Sequence, residues 1–507
     1  MNHFHHYQVA CPVKPDWGPG GMIALMPTEL EMLTATIHLN RQDRAPLYQQ
    51  LYFEIRARIL QGGLPPGAAL PPTRQLAQAL EVARVTVTEA YAQLAAEGFV
   101  LSRQGAGTFV AAGLAGVRAE AAAPPPTLST WGERVLAVRP STNQATTRPD
   151  IDFGFGRSFP HIFPYDIWRR LLDRYLSTDD VMLSRYGSVA GFYPLRQALA
   201  DYLGQWRGVR CTPEQVVIVN GAQQALDILT RLYLSPGDEV LVESPGYAQA
   251  FAVFRLFGAN LTPLPVDDHG FPVKLIPPGS RARLAFVTPS NQFPRGGALS
   301  LPRRLRLLAW ARARGAFIVE DDYDGELRYA GRPLTALQGL DDDGRVVYLG
   351  TFSKVLFPAL RLSYVVLPPG MVTPFVQAKA LVDRGAPTLT QAAVADFITE
   401  GHFARHLRHL RQAYGQRRQL LVAALDAHLG DKVSFSHTPA GLHVMVYLPN
   451  GVAETAVVAR AAIAGVGVYP GAPYHLLTPA PPSILLGFSG LTEAEIVEGV
   501  RRLAAVI

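Results

Sequence analysis

Five short apolar runs recur through the middle of the chain, and they limit the fold more than any other feature of the sequence. Helical patterns separate consecutive runs, which lie at residues 216–219, 239–242, 284–287, 317–319 and 346–349. Strands joined by helices in this way form mostly parallel sheets with helices on both faces. The sequence therefore predicts a doubly wound α/β domain over 151–507, with a smaller α+β subdomain at about 400–507.

A different pattern occupies residues 45–113. Apolar side chains recur at every fourth position from Leu47 to Ile59, as on the buried face of a helix. Two more short helices are predicted to begin near Thr73 and Arg84, and two apolar strands then flank a glycine-containing turn at 105–107. Three helices followed by a hairpin predict a winged helix-turn-helix.

Small polar and basic side chains lie where such a module meets DNA. They stand at the starts of the second and third helices and in the hairpin: Thr73, Arg74, Arg84, Thr86, Arg103 and Gly105. Helix N-termini and arginines bind phosphates, and one helix of the motif enters the major groove. An isolated arginine would more simply be a solvated surface residue, so the prediction depends on the complete pattern.

Net charge adds little to the DNA hypothesis. The chain of 507 residues carries a formal charge of +6, and residues 45–113 hold five arginines against four glutamates. Because phosphate binding is driven by positive charge, we expect tight DNA binding only from a dimer.

The order of motifs in 46–110 closely resembles the GntR-type winged-helix domain. The matching strings are Pro-Leu-Tyr-x-Gln-Leu, Leu-Pro-x-x-Arg-x-Leu-Ala, Arg-x-Thr-Val-x-x-Ala-Tyr and Gly-x-Gly-Thr-Phe-Val. The resemblance implies operator DNA as a partner. Ala83 stands where such domains usually carry serine, so one phosphate hydrogen bond per subunit is expected to be missing.

The segments outside these two domains lack periodicity. Residues 1–44 are predicted to be an irregular tail, either disordered or an over-long start before about Met32, and a metal site at His3, His5 and His6 is the weaker alternative. Residues 114–150 are predicted to be a linker rich in Ala, Pro, Ser and Thr. Two cysteines and no apolar run of membrane-spanning length predict a soluble cytoplasmic protein.

Lysine is scarce, and only one of the five lysines has chemically suitable neighbours. Lys354 follows an apolar strand, with hydroxyls at Thr351 and Ser353 and a guanidinium at Arg361. Hydroxyls with an arginine suit a phosphate monoester, and a lysine beside them can form a Schiff base with a carbonyl compound. Upstream, the backbone amides of Gly221, Ala222 and Gln223 open a helix after a strand and can bind the same phosphate.

Acidic and aromatic residues follow two other strands. One of the aspartates in the run 320–324 can pair with a protonated pyridine nitrogen, and Tyr323 can hydrogen-bond a phenolic ring oxygen. Tyr247 can stack on the ring, although taken alone it would more simply be a packing residue. A divalent-metal site is the competing interpretation, because Glu320, Asp322 and Asp324 cluster with Asp321. That alternative leaves the lysine and the phosphate elements unexplained, so we predict no metal.

Taken together, these strings resemble fold type I, class I/II aminotransferases, which bind pyridoxal 5'-phosphate. The ordered motifs include Pro-Gly-Tyr, Thr-Pro-Ser-Asn-Gln-Phe-Pro-x-Gly, Glu-Asp-Asp-Tyr-Asp and Ser-Lys-x-x-x-Pro-x-x-Arg. The resemblance implies that Lys354 is the Schiff-base lysine, with Asp321, Tyr323, Tyr247 and Arg361 in the roles above. Asn291 stands where close relatives often carry histidine, so a cofactor contact by Asn291 is expected without a defined role.

One position departs from the aminotransferase pattern. These enzymes hold the substrate carboxylate with an arginine before the Leu-Gly/Ser-Phe run near the C-terminus, and Leu485 occupies that position here. The departure weakens the case for an ordinary α-amino acid. A ligand without that carboxylate, a carboxylate held by another arginine, or pyridoxal phosphate itself remain open as effectors.

A GntR-type domain, a linker and an aminotransferase-like domain in one chain resemble the MocR/GabR family of transcriptional regulators. The resemblance implies a head-to-tail homodimer that senses pyridoxal phosphate or an amino compound through an aldimine at Lys354. The alternative is a working aminotransferase with an appended DNA-binding domain. The basic run 405–411, with Arg417 and Arg418, is predicted to be a solvated helix face, a DNA-contacting or interdomain role being the alternative.

Overall fold

The computed structural model describes residues 33–34, 37–114, 126–138, 149–176 and 184–507. The three N-terminal histidines, most of the predicted tail and much of the predicted linker lie outside these ranges. The chain divides into two compact units, Met1–Thr127 and Leu128–Ile507. In the ranges that are described, no helix combines the length and apolarity that a membrane crossing requires.

The first unit is built from three helices and a small antiparallel sheet, as predicted. Its elements are α1 (Leu47–Gln61), β1 (Ala69–Leu70), α2 (Thr73–Ala79), α3 (Arg84–Ala96), β2 (Val100–Arg103) and β3 (Gly107–Val110). The strands run in the order β1-β3-β2. Leu51 and Ile55 of α1 and Val87 and Leu94 of α3 are fully buried, so the helices share one apolar core.

The segment predicted to be an irregular linker contains a helix, α4 (Thr130–Ala137). Ser129 caps it by accepting a hydrogen bond from the Gly132 amide at 3.2 Å. The average composition of the segment does not indicate this helix, whereas Ser129 is a typical helix start signal. The helix belongs to the second unit, in which Arg134 lies beside Gly258.

The second unit is organised around a seven-stranded sheet. Its strands, in the order β5-β11-β10-β9-β8-β6-β7 across the sheet, span β5 (Val216–Val219), β6 (Glu239–Ser244), β7 (Asn260–Pro265), β8 (Leu284–Val287), β9 (Phe317–Asp322), β10 (Val346–Thr351) and β11 (Ser363–Val366). All neighbouring pairs are parallel except the two that β11 makes. The predicted doubly wound, mostly parallel sheet is confirmed.

Helices cover this sheet, and a smaller α+β part follows it. The remaining elements are β4 (Ile151–Asp152), α5 (Tyr165–Leu176), α6 (Tyr193–Arg207), α7 (Ala222–Tyr233), α8 (Ala248–Phe257), α9 (Leu301–Arg314), α10 (Pro369–Val382), α11 (Thr388–Thr399), α12 (His402–Leu429), β12 (Ser434–Phe435), β13 (His443–Tyr447), α13 (Glu454–Ile463), β14 (Val466–Gly467), β15 (Tyr469–Pro470), β16 (Ser483–Gly487) and α14 (Glu493–Ala504). Strands β12, β13, β16 and β15 form a second sheet in that order.

The basic run on α12 is only partly a solvated face. Arg405 and Arg408 are exposed, as predicted. Arg417 and Arg418 are buried instead, because the long helix turns them toward its neighbours. The Arg417 guanidinium lies 3.9 Å from the centroid of the Phe159 ring and donates to the Ser489 carbonyl. For these two arginines the surface prediction was wrong.

Candidate functional site

Four predicted site segments meet at one edge of the large sheet. Strands β5, β6, β9 and β10 are parallel to one another, so their carboxyl ends lie on the same side. Gly221 follows β5, Asp321 lies near the end of β9, and Thr351 ends β10. Asp321 is paired with Leu349 in the register of β9 and β10. The topology thus brings together residues that are far apart in sequence.

Lys354 lies at this edge with its amine buried. Its Nζ lies 4.6 Å from the centroid of the Phe155 ring, and a Cβ added to Gly156 would be 2.8 Å from that nitrogen. Burial lowers the pKa of Lys354, while the negative charges of Asp321 and Asp324 oppose the shift. A lowered pKa increases the fraction of neutral amine, which is the form that attacks a carbonyl carbon.

The Asp321 carboxyl is buried beneath the site. Burial and the neighbouring Asp322 raise the pKa of Asp321 to about 7, and Lys354 acts in the opposite direction. Because burial disfavours the ionised form of this carboxyl, a cationic partner would stabilise its carboxylate, and a protonated pyridine is such a partner. The Tyr247 ring is partly buried here, and Asp321 is among the groups that raise the pKa of its hydroxyl.

Tyr323 and Asn291 are joined by hydrogen bonds. The Asn291 Nδ2 donates to the Tyr323 hydroxyl oxygen at 3.1 Å and to Asp324 Oδ2 at 2.7 Å. The Tyr323 hydroxyl also hydrogen-bonds with Asp324, and burial together with this carboxylate raises the pKa of Tyr323. Asn291, whose role the sequence left undefined, therefore lies behind Tyr323 and positions it.

The predicted phosphate-binding residues surround the start of α7. The Arg361 Nη2 donates to the carbonyl oxygen of Asn220 at 3.0 Å, and a Cβ on Gly221 would lie 2.8 Å from the same nitrogen. Gly221 has a φ of 132° and precedes Ala222 and Gln223, the first residues of the helix. A helix N-terminus beside a guanidinium is a site for an anion.

The two hydroxyl residues complete this group. The Thr351 hydroxyl accepts a hydrogen bond from the Ser353 amide at 3.1 Å and another from Ser363 Oγ at 2.8 Å. Thr351 therefore shapes the turn that presents Ser353 and Lys354. We call the group formed by Gly221, Ala222, Gln223 and Arg361 the cradle. The hydrogen-bond donors of the cradle, together with Thr351, Ser353 and Lys354, fit pyridoxal phosphate.

A carboxylate that the sequence did not single out supports the cradle from behind. Asp383 accepts hydrogen bonds from Asn220 Nδ2 at 2.9 Å, Gln224 Nε2 at 2.8 Å and Lys379 Nζ at 2.8 Å. Lys379 is fully buried. Asp383 stands four residues after Lys379, so this pair is visible in the sequence. Nothing local shows that the same carboxylate also binds Asn220 and Gln224.

A cluster of mostly apolar side chains extends from Phe155, whose ring lies next to the Lys354 amine. We call it the lysine-side wall, and it consists of Phe155, Phe293, His443, Met445, Tyr474 and Leu485. Only Leu485 was singled out from sequence. The others lie on separate segments without a shared motif, so no sequence signal assembles them.

The acidic residues considered for a metal point in different directions. Glu320 accepts from the backbone amides of Leu337 and Gln338 at 2.7 and 2.8 Å. Asp322 pairs with Arg207 at 2.7 Å. Asp324 accepts from Asn291, as described above. These carboxylates are therefore committed to separate partners, and in the described ranges no group of three or more potential ligands forms a metal site.

In the first unit, the predicted DNA-contacting residues lie on the helix-turn-helix and its hairpin. Arg74, Arg84, Arg103 and Gly105 are exposed, and Thr73 and Thr86 are partly exposed. The Arg84 Nε donates to Thr73 Oγ1 at 3.3 Å, which joins the starts of α2 and α3. Ala83 occupies the position before α3 and provides no side-chain cap.

Comparisons with known proteins match both units. Residues 47–110 match the family "Bacterial regulatory proteins, gntR family", and residues 161–503 match "Aminotransferase class I and II". Among solved structures, the kynurenine aminotransferase of Pyrococcus horikoshii matches with a TM-score of 0.67 and 31% identity, covering 71% of this chain and 91% of that one. Fold and site thus define an aminotransferase-type protein with an attached DNA-binding domain.

Full-length relatives share this domain combination. The chain is 39% identical to the probable rhizopine catabolism regulatory protein MocR of Rhizobium meliloti, over 92% of this chain and 94% of the relative. It is 30% identical to the pyridoxine biosynthesis regulator PdxR of Corynebacterium glutamicum, over 90% and 95%. The chain belongs to the MocR family of helix-turn-helix transcriptional regulators with an aminotransferase-like domain.

Proposed function

We propose that this regulator responds to pyridoxal phosphate, or to an amino compound that reaches it, through a Schiff base at Lys354. The observation that carries the proposal is the buried Lys354 amine, which lies within one group of side chains that includes Asp321, Tyr323 and the Gly221 cradle. The same chain carries the GntR-type DNA-binding unit. PdxR, a relative over most of the chain, is described as a pyridoxine biosynthesis regulator.

Each residue has a defined task in this proposal. Pyridoxal phosphate supplies an aldehyde and an electron-accepting ring when bound. Gly221, Ala222, Gln223, Thr351, Ser353 and Arg361 hold the phosphate. Asp321 stabilises the protonated ring nitrogen, Tyr323 donates to the ring oxygen and Tyr247 stacks on the ring. Lys354 provides the amine.

The proposal extends to assembly and location. We propose a head-to-tail homodimer that acts in the cytoplasm and binds operator DNA through Thr73, Arg74, Arg84, Thr86, Arg103 and Gly105. A dimer supplies two recognition helices, which compensates for the low net charge of each DNA-binding unit.

The experiment compares wild type with Lys354→Ala, and with Lys274→Ala as a control at an exposed lysine. DNA sequences bound by the purified protein are selected from a random pool, and footprints are recorded with and without pyridoxal phosphate. We expect Lys354→Ala to lose the visible absorbance of bound cofactor and the ligand-dependent change in the footprint, while its circular dichroism stays unchanged. Absorbance that survives in Lys354→Ala would contradict the assignment of the lysine.

A turnover assay distinguishes the alternative function. The same preparations are incubated with amino donors and a keto acid acceptor. Sustained transamination without any footprint would support an aminotransferase whose DNA-binding unit has no regulatory role. A ligand-dependent footprint without multiple turnovers supports the regulator.

A further inference from the structure

The small sheet presents an uncharged surface toward Lys354. Met445 on β13 and Leu485 on β16 are directly paired, and both are buried. His443 lies two residues before Met445, so it points to the same face of the sheet. Phe293 and Tyr474 pack on this surface with their ring centroids 5.3 Å apart. The lysine-side wall therefore contains no cationic side chain.

Phe155 is the member of the wall that lies against Lys354. Its ring centroid lies 4.6 Å from Lys354 Nζ, 4.7 Å from the His443 ring and 5.3 Å from the Phe293 ring. The face of an aromatic ring carries partial negative charge. A cationic or neutral amino group is attracted to that face, and a carboxylate is repelled by it.

His443 adds an acceptor to the wall and no positive charge. Its Nε2 lies 3.0 Å from the Pro294 carbonyl oxygen, so that nitrogen carries the proton. Burial lowers the pKa of His443 to about 4, which keeps the ring neutral. The Nδ1 atom is buried and has no hydrogen-bond partner among the described residues. It offers a lone pair, which accepts from a hydroxyl or an amine and repels a carboxylate.

Two guanidinium groups near the site already have partners. Arg361 donates to Asn220 at the phosphate cradle, and Arg295 pairs with Asp268 at 2.6 Å. Meanwhile Asp321 and Asp324 place buried carboxyl groups near Lys354. A ligand carboxylate held against the lysine-side wall would be desolvated without a cationic partner in that wall, which is strongly unfavourable.

We infer that the space between Lys354 and the lysine-side wall selects primary amines that carry no carboxylate on the amino-bearing carbon. The inference rests on the proposed function, because it concerns the ligand of the same site. It names the class of effector: an amine whose remaining part is apolar or donates a hydrogen bond to His443.

Matched ligand pairs test this selectivity in the wild-type protein loaded with pyridoxal phosphate. Ethanolamine is compared with L-serine, and isobutylamine with L-valine, since each pair differs only by the carboxylate. Binding is followed by the absorbance of the bound cofactor and by calorimetry. We expect each amine to bind about 10-fold more tightly than its amino acid, or better.

The outcomes separate this inference from the proposed function. Amino acids that bind as tightly as the amines, or no binding by either class to the loaded protein, would overturn the inference and leave the cofactor assignment standing. A protein that shows no cofactor absorbance at all would contradict the proposed function, and the inference with it.

Two variants test the assignment of Leu485. Leu485→Arg places a guanidinium in the wall and is expected to favour the amino acid of each pair, whereas Leu485→Met preserves volume and keeps the amine preference. A folded, cofactor-loaded L485R protein that still prefers the amines would overturn the role of this position. The wild-type comparison remains decisive if L485R fails to fold.

Discussion

At the scale of single residues, the second unit keeps several carboxyl groups away from water. Glu243 is one of them, and its neighbours are polar without being charged. It accepts from Thr288 Oγ1 at 2.6 Å and from Gln292 Nε2 at 3.1 Å. Burial raises the pKa of Glu243 from 4.5 to about 7, although these hydrogen bonds act in the opposite direction.

This shift predicts a pH dependence of stability. Between pH 4.5 and about 7 the folded chain keeps the Glu243 proton while the unfolded chain has lost it, so stability falls as pH rises through this window. Relative to Glu243→Gln, we expect the free energy of unfolding of wild type to fall by up to about 1.4 kcal/mol per pH unit. Denaturant titrations at several pH values measure the difference. A constant difference across the window would contradict the raised pKa.

Gly221 gives a second prediction at this scale. An alanine there would place Cβ against Arg361 Nη2 in a backbone conformation with φ of 132°, so Gly221→Ala is expected to weaken pyridoxal phosphate binding by about 10-fold or more. Gly237→Ala is the control, because Gly237 also has positive φ but an added Cβ would meet nothing within 4 Å. Equal cofactor affinities, measured by equilibrium dialysis, would show that the cradle does not need this glycine.

At the scale of elements, Asp383 joins the end of α10 to the turn between β5 and α7. Asp383→Asn would weaken hydrogen bonds to Asn220 and Gln224 and would leave Lys379 buried beside a neutral amide. We expect about 10-fold weaker cofactor binding and a loss of about 2 kcal/mol in stability. Asp227→Asn, on the exposed side of α7, is the matched control.

A double variant separates the two effects of Asp383. Lys379→Met with Asp383→Asn removes the unpaired buried charge, so stability is expected to recover while cofactor affinity stays low. If cofactor affinity recovered together with stability, Asp383 would support the fold in general and not the turn between β5 and α7 in particular.

Most elements were predictable, and the exceptions have identifiable causes. Five strands of the large sheet follow from their apolar runs. Strand β7 was missed because Pro263 and Pro265 interrupt its pattern, and this strand lies at the sheet edge, where proline is tolerated. Strand β11 is a short run after the turn at Arg361, and nothing local shows that it pairs in the antiparallel direction.

The residues of the candidate site also divide into those that the sequence predicts and those that it does not. Residues within a motif that follows a strand, such as Lys354, Asp321 and Gly221, could be predicted because strand ends meet at one edge. Asp383 and His443 could not, because each acquires its neighbours from elements distant in sequence. Sequence therefore predicts the residues at the strand ends better than those that position them.

At the scale of the whole molecule, the net charge of the DNA-binding unit limits how tightly one copy of the unit can bind DNA. Its near balance of arginine and glutamate predicts that one unit binds weakly, and a dimer adds the second contact without new chemistry. We expect DNA with two half-sites to bind at least about 100-fold more tightly than DNA with one half-site. Electrophoretic mobility titrations measure both. Equal affinities would show that one subunit is sufficient.

The position of β11 in the sheet also affects how the protein is made. Strand β5 ends at Val219, whereas its neighbour in the sheet, β11, begins only at Ser363, just after Arg361. The two strands are thus neighbours in the sheet and far apart in the chain. On a ribosome, the DNA-binding unit is therefore synthesised long before Gly221 and Arg361 can come together. A message truncated between these points would yield a chain that has the DNA-binding unit and lacks the site that we propose for pyridoxal phosphate.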